Sequence, residues 1–196
     1  MKIISLNQAG IQDFSLARNQ ALSQAKTDWV MFLDSDENIT DGLKQEINQA
    51  VKDKRFNYQF KRSDWFLGRK LQHGETRRVR LIRLIQPGTG QWQGKVHERF
   101  ISLLPVKTLT QPLLHQRRLK LEAFIQRLDW YSTLKSQELN CFSLFQLLFY
   151  PGLKFCQNYF FRLGFLDGIS GLGMAFLMSL HSLFVRVKTY EKTYPA

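Results

Sequence analysis

Two carboxylates stand one residue apart at the end of an apolar run: Trp29-Val30-Met31-Phe32-Leu33, then Asp34-Ser35-Asp36. A continuous apolar run marks a strand buried on both faces, as in a parallel sheet. In open α/β sheets, ligands collect beyond the carboxyl ends of the strands. Two carboxylates at such an end can serve one hard cation, directly or through water. Mg²⁺ or Mn²⁺ bound there would neutralise phosphate oxygens of a substrate. The plainer reading is a solvated Asp-Ser-Asp-Glu-Asn turn capping the helix that follows.

Arginines form the second group. Arg77, Arg78, Arg80 and Arg83 punctuate "RRVRLIRLI". On a strand, Arg78 and Arg80 share one face and Arg77 and Arg83 the other. Guanidinium forks grip phosphate bidentately, so one face suits a diphosphate or a phosphorylated acceptor. The competing reading is a solvated strand face. Upstream, Trp65, Phe66, Gly68 and Arg69 form a loop closed by His73. An aromatic ring there could pack on a sugar, or could anchor the loop in the core.

The elements that must position these residues follow from period and capping. "KIISL" reads as a short strand. Asp13 or Ser15 caps a helix over Leu16 to Ala25. Thr40 or Asp41 caps the next, with Leu43, Ile47, Ala50 and Val51 on its core face. "FNYQFKR" and "RRVRLIRLI" alternate with period two, as half-buried strands do. "GQWQGKVHERF" reads as a further strand after the turn at Pro87 and Gly88. Strands and helices in this order make an α/β domain.

The order Ala17-Arg18-Asn19-Gln20-Ala21-Leu22, then a strand ending in Asp34-Ser35-Asp36, resembles the nucleotide-sugar half of family 2 glycosyltransferases, which have a GT-A fold. "FLGRKLQHGETRRVRLIRL" and Trp92-Gln93-Gly94-Lys95-Val96-His97-Glu98 are similar to the lipopolysaccharide core β-glucosyltransferase subgroup. The resemblance covers roughly residues 14 to 190. It implies that Arg18 lies near the nucleotide and that Asp34 and Asp36, a DxD motif, hold Mg²⁺ or Mn²⁺ on the donor diphosphate. It implies inverting transfer from a nucleotide sugar, a UDP-hexose, to a lipid-linked or lipopolysaccharide/polysaccharide acceptor. Such a reaction needs one base for the acceptor hydroxyl. Glu98 is the candidate, because the family's base is usually a carboxylate. His97 competes, and on a regular strand only one of the two faces the donor. Trp65, Arg69, Arg78 and Arg80 are the candidate acceptor or phosphate contacts. Family members open with a βαβ unit carrying nucleobase contacts that has no counterpart here. The expectation is therefore a truncated GT-A-like domain with an exposed sheet edge, completed by a partner chain or a homo-oligomer. A non-catalytic homologue is the alternative.

The bulk numbers agree with a globular chain that binds anions. It has 196 residues, 44% hydrophobic and 22% charged, with 28 Lys and Arg against 16 acidic residues, a net charge of +12. That charge fits a nucleotide, phosphate or anionic membrane partner. A nucleic-acid module is the weaker rival, because the C-terminal third is apolar. Cys141 and Cys156 lack metal or CxxC spacing and read as reduced thiols. No apolar leader is evident at the start. The domain division is expected at 1–117, a partial GT-A domain, and 118–196, a helical extension. In that extension Met174, Leu177, Met178, His181, Phe184 and Val185 fall at helical spacing between basic flanks. This suits an in-plane helix on the cytoplasmic face of the inner membrane; the same stripe would also serve as core.

Overall fold

The computed structural model describes residues 1–5, 13–94, 98–116 and 121–195, apart from the side chains of Arg78, Gln116 and Ala123. In chain order the first elements are β1 (Lys2–Ile4), α1 (Phe14–Ser23), β2 (Val30–Phe32), β3 (Glu37–Asn38) and α2 (Asp41–Ala50). Then come β4 (Asn57–Phe66), β5 (Arg69–Lys70), β6 (Arg80–Ile85), β7 (Gly90–Gln93), β8 (Arg99–Ser102), β9 (Val106–Thr108) and β10 (Leu113–Gln116). Three helices follow: α3 (Leu121–Glu138), α4 (Leu144–Cys156) and α5 (Gly168–Thr193).

The chain divides into two compact units, residues 1–64 with 78–116, and residues 65–77 with 117–196. The second boundary lies beside the expected one. Segment 65–77, read from sequence as part of the first domain, groups with the C-terminal helices, because Phe66 and Leu71 belong to their core.

In the first unit the strands run in the order β1-β2-β6-β4-β10-β3, with β9 also on β4. β2 pairs in parallel with β1 and antiparallel with β6, so the sheet is mixed rather than parallel. The apolar run nevertheless has the expected cause. Met31 packs with Leu43 and Ile47 of α2 on one face. Val30 and Phe32 pack with Leu22 of α1, Trp92 and Phe100 on the other. A strand covered on both sides has no polar face. Asp13 caps α1 by accepting from Leu16 N, and Thr40 caps α2 through Leu43 N, as their types suggested. β1 forms the edge of this order and its outer residues are exposed.

Two strand readings change. Residues Thr76–Arg78 form a 3₁₀ turn and β6 begins at Arg80, so the expected sharing of faces among the four arginines does not hold. "GQWQGKVHERF" is two strands, β7 and β8, paired as an antiparallel hairpin with Trp92 opposite Phe100.

In the second unit, β4 and β5 close a hairpin through Leu67 and Gly68, both at positive φ. That is the combination a two-residue turn between twisted strands requires. Phe66 is buried with Phe124, Leu128, Met174 and Leu177. Of the apolar stripe of α5, Met174, Leu177 and Val185 are buried in this core, and Met178, His181 and Phe184 are half-buried. α4, by contrast, buries none of its residues. A π turn (Gln157–Phe161) and a 3₁₀ turn (Gly164–Asp167) lead from it to α5. Among the described residues, one helical stretch, Gly164–Thr193, is long and apolar enough by length and composition to cross a membrane.

Candidate active site

Asp34 follows the carboxyl end of β2, and its carboxylate is held from two sides. Arg18 Nη2 donates to Oδ1 at 3.1 Å, and Arg83 Nη2 donates to Oδ2. Arg18 also donates from Nε to Glu98 Oε1 at 2.8 Å. Arg83 reaches Glu37 Oε1 at 3.3 Å, and Glu37 Oε2 accepts from Asp34 N at 3.0 Å. Two guanidinium groups therefore tie together three carboxylates from residues up to 80 positions apart. Isolated charges would not survive such burial; paired ones do when their remaining bonds are satisfied. Arg83 is mostly buried, which alone would lower its pKa, but Asp34, Glu37 and Glu98 outweigh this and raise it. Its Nε is buried without a hydrogen-bond partner among the described residues, an unmet donor beside the Asp34 carboxylate.

The Ala-Arg-Asn stretch places both of its polar residues here. Arg18 is 3% exposed, so a surface-helix reading of it fails. Its guanidinium lies 5.1 Å from the Phe32 ring centroid and 4.9 Å from that of Trp92. Two aromatic faces and two carboxylates fix it in place. Asn19 donates to Trp92 O at 2.9 Å and accepts from Trp92 N at 2.8 Å. That pair of hydrogen bonds pins β7 to α1.

Asp36 faces different partners. His115 Nε2 lies 3.3 Å from Asp36 Oδ2, and His115 Nδ1 lies 2.6 Å from Asp64 Oδ1. Arg62 pairs with Asp64 at 3.0 Å. Burial lowers the His115 pKa, but the bonds to Asp36 and Asp64 outweigh it and raise it. For Asp64, burial works upward, and the bonds from His115 and the charge of Arg62 bring the net shift downward.

A divalent cation is implied by the resemblance, and the donor set can be tested against it. Both Asp34 oxygens already accept from arginine. Asp36 with His115 offers one carboxylate and one imidazole, and a ligating imidazole usually donates its other nitrogen to a carboxylate. Asp64 occupies that position. Both His115 nitrogens, however, are already engaged by carboxylates, so Asp36 is the oxygen ligand left for a cation that takes its remaining ligands from phosphate and water. Among the described residues no group of three or more His, Cys, Asp or Glu side chains forms a metal cage.

Of the other candidates, Arg80 is exposed and lies opposite Lys61 across β4 and β6. Trp65 and Arg69 belong to the second unit, where both are exposed while Phe66 anchors their hairpin. His73 is bonded to Asp167, through its backbone N at 2.8 Å and Nδ1 at 2.9 Å. His97 and the Arg78 side chain lie outside the described residues. Glu37, Asp64 and His115 were not anticipated. Glu37 and His115 are adjacent in the β3–β10 register, which no sequence spacing reveals.

The family described as Glycosyl transferase family 2 matches residues 2–102, just over half of the chain. The chain belongs to glycosyltransferase family 2. Its match covers Arg18, Asp34, Asp36, Glu37, Asp64, Arg83 and Glu98, while His115 lies beyond it. The chain is also similar to the lipopolysaccharide core biosynthesis glycosyltransferase LpsC of Rhizobium meliloti (strain 1021). The two are 27% identical over 181 residues, which is 88% of this chain and 67% of that protein.

Proposed function

We propose that the chain is an inverting glycosyltransferase that moves a hexose from a UDP-linked donor to a lipid-linked or lipopolysaccharide acceptor at the cytoplasmic face of the inner membrane. The observation that carries the reading is a buried arginine, Arg18, bonded to both Asp34 and Glu98. It ties the acidic strand end, where a donor diphosphate is expected, to the carboxylate suited to be the base. The likeness to LpsC supports the acceptor class.

In this reading Glu98 takes the acceptor hydroxyl proton on Oε2 while Arg18 holds Oε1. The acceptor oxygen bonds to the anomeric carbon as the carbon–phosphate oxygen bond breaks, and UDP leaves with the electron pair. Asp34 orients the two arginines toward the donor's negative charge, and Arg83 Nε offers a free donor there. Asp36 would hold Mg²⁺ or Mn²⁺, with His115 positioning its carboxylate; the cation would supply charge neutralisation for the leaving diphosphate.

Calorimetric titration of UDP into the purified chain, with Mn²⁺ and then with chelator, tests the donor half. Binding that is lost with chelator and with Asp36→Ala is the expected result. Absence of binding at millimolar UDP by a folded chain would leave a non-catalytic homologue as the better account.

A further inference from the structure

From Leu139 to Val185 the sequence has only three formally charged residues, Lys154, Arg162 and Asp167. All three turn inward within the second unit. Lys154 pairs with Glu75 at 2.9 Å. Arg162 bonds Asn158 at 3.2 Å. Asp167 accepts from the backbone N of Gln72 and His73. The outer surface of α4, the two turns after it and the start of α5 is left without charge. Phe145, Leu148, Phe149 and Leu153 are exposed on α4, and Phe161 and Ile169 are 82% and 80% exposed. Gln146, Tyr150 and Gln157 are the only polar side chains among the exposed residues of 144–169. An apolar face of this extent on a soluble monomer marks a docking surface.

We propose that this face is a monotopic membrane-insertion surface, lying in the headgroup–acyl boundary of an anionic bilayer. Three observations select lipid over a second protein. A protein interface of useful size needs regular hydrogen bonds, and this face offers almost no groups to make them. The second unit carries 13 basic against 6 acidic residues, a balance that anionic lipid attracts. Cations border the face: Arg69 is exposed and lies so close to Gly168 that a Cβ there would sit 3.1 Å from Nη1, and Arg186 stacks on Tyr150 at 4.0 Å. Such an aromatic and basic rim suits the headgroup level. The helices lie in the plane rather than span. α5 packs Met174 and Leu177 on Phe124 and Leu128 of α3, and Lys188 bonds Asp129 at 2.6 Å. α3 carries exposed Glu122, Asp129 and Glu138, which hydrocarbon would not accept.

The insertion is read without donor or acceptor, so it stands or falls apart from the transfer reaction. The test is sedimentation of the full chain with vesicles of phosphatidylcholine alone and with phosphatidylglycerol added. Phe149→Trp, with brominated lipid as quencher, reports insertion directly. The expected result is preferential binding to anionic vesicles and quenching of the introduced tryptophan. Phe145→Ser combined with Phe149→Ser and Phe161→Ser should weaken partitioning by about a hundredfold or more. Leu103→Ser, an exposed apolar residue of the first unit, should change it by less than about twofold. All variants should keep the wild-type circular dichroism and thermal midpoint, since the replaced side chains are exposed. Equal pelleting of wild type and triple variant would overturn the proposal. So would a wild-type dimer in light scattering that ignores vesicles and dissociates in the triple variant, which would assign the face to a second copy.

Discussion

Glu98 and Arg18 meet at 2.8 Å from positions 80 residues apart, a contact that no spacing in the sequence reveals. A base must be reachable, and Glu98 keeps some exposure while Arg18 keeps almost none. Glu98→Gln preserves shape and removes basicity. It is expected to lower kcat by about 10²–10⁴-fold while leaving the Kd for UDP unchanged, read by calorimetry beside a donor-turnover assay. A parallel loss of UDP binding would move Glu98 from the reaction to the donor site. Arg83→Met removes one buried partner and leaves Asp34 and Glu37 under-compensated. It should destabilise the fold by about 3–5 kcal/mol, measured by urea unfolding. The motif residues Arg18, Asp34, Asp36 and Glu98 were legible because their types and order resemble a family. Glu37 and His115 were not, since they enter through strand pairing rather than spacing.

Capping and burial period carried the elements well where local signals dominate. Asp13 and Thr40 cap the helices that follow them, and Met31 and Phe32 divide between two cores as a continuous apolar strand must. The strand readings failed where glycine and charge intervene. Gly90 and Gly94, both at positive φ, bracket β7, and arginine-rich 76–78 winds into a 3₁₀ turn before β6. Asn19 shows what one side chain does for an element: its two hydrogen bonds to the Trp92 backbone hold β7, already paired with β8, against α1. Asn19→Ala strips both and should cost about 1–3 kcal/mol, with a lower thermal midpoint as readout. Packing between the turn and α5 is tighter still. A Cβ on Gly171 would fall 1.9 Å from the Gly164 carbonyl oxygen, a backbone atom that cannot swing aside. Gly171→Ala should therefore destabilise by about 1–3 kcal/mol, whereas Gly152→Ala, in open space on α4, should leave stability unchanged or raise it.

At the scale of the molecule, composition had announced a basic chain with an apolar C-terminal third, but not which surface was apolar. Helical spacing singled out the α5 stripe, because periodicity reports that a face is buried and is silent about what buries it. Lys154, Arg162 and Asp167 turn away from the exposed apolar face of the second unit, and Glu75 is the centre of that arrangement. It pairs with Lys154 at 2.9 Å and Arg162 at 3.7 Å. Burial works to raise its pKa, but the bond and charge of Lys154, with Arg162 and Asn158, outweigh it and bring the net shift below the ordinary glutamate value. A carboxylate with a depressed folded pKa stabilises the native state above its unfolded pKa of about 4.3. That contribution disappears as pH falls through the folded value. Because the Glu75 side chain is 39% exposed, solvent screening keeps the effect small. Thermal midpoints of wild type and Glu75→Gln should differ at pH 7 and converge at pH 3, with the wild type higher at neutral pH. A gap that persists unchanged in acid would assign the role of Glu75 to packing. The same comparison in the presence of anionic vesicles would then show whether Lys154 and Arg162, released from Glu75, turn outward and strengthen lipid binding.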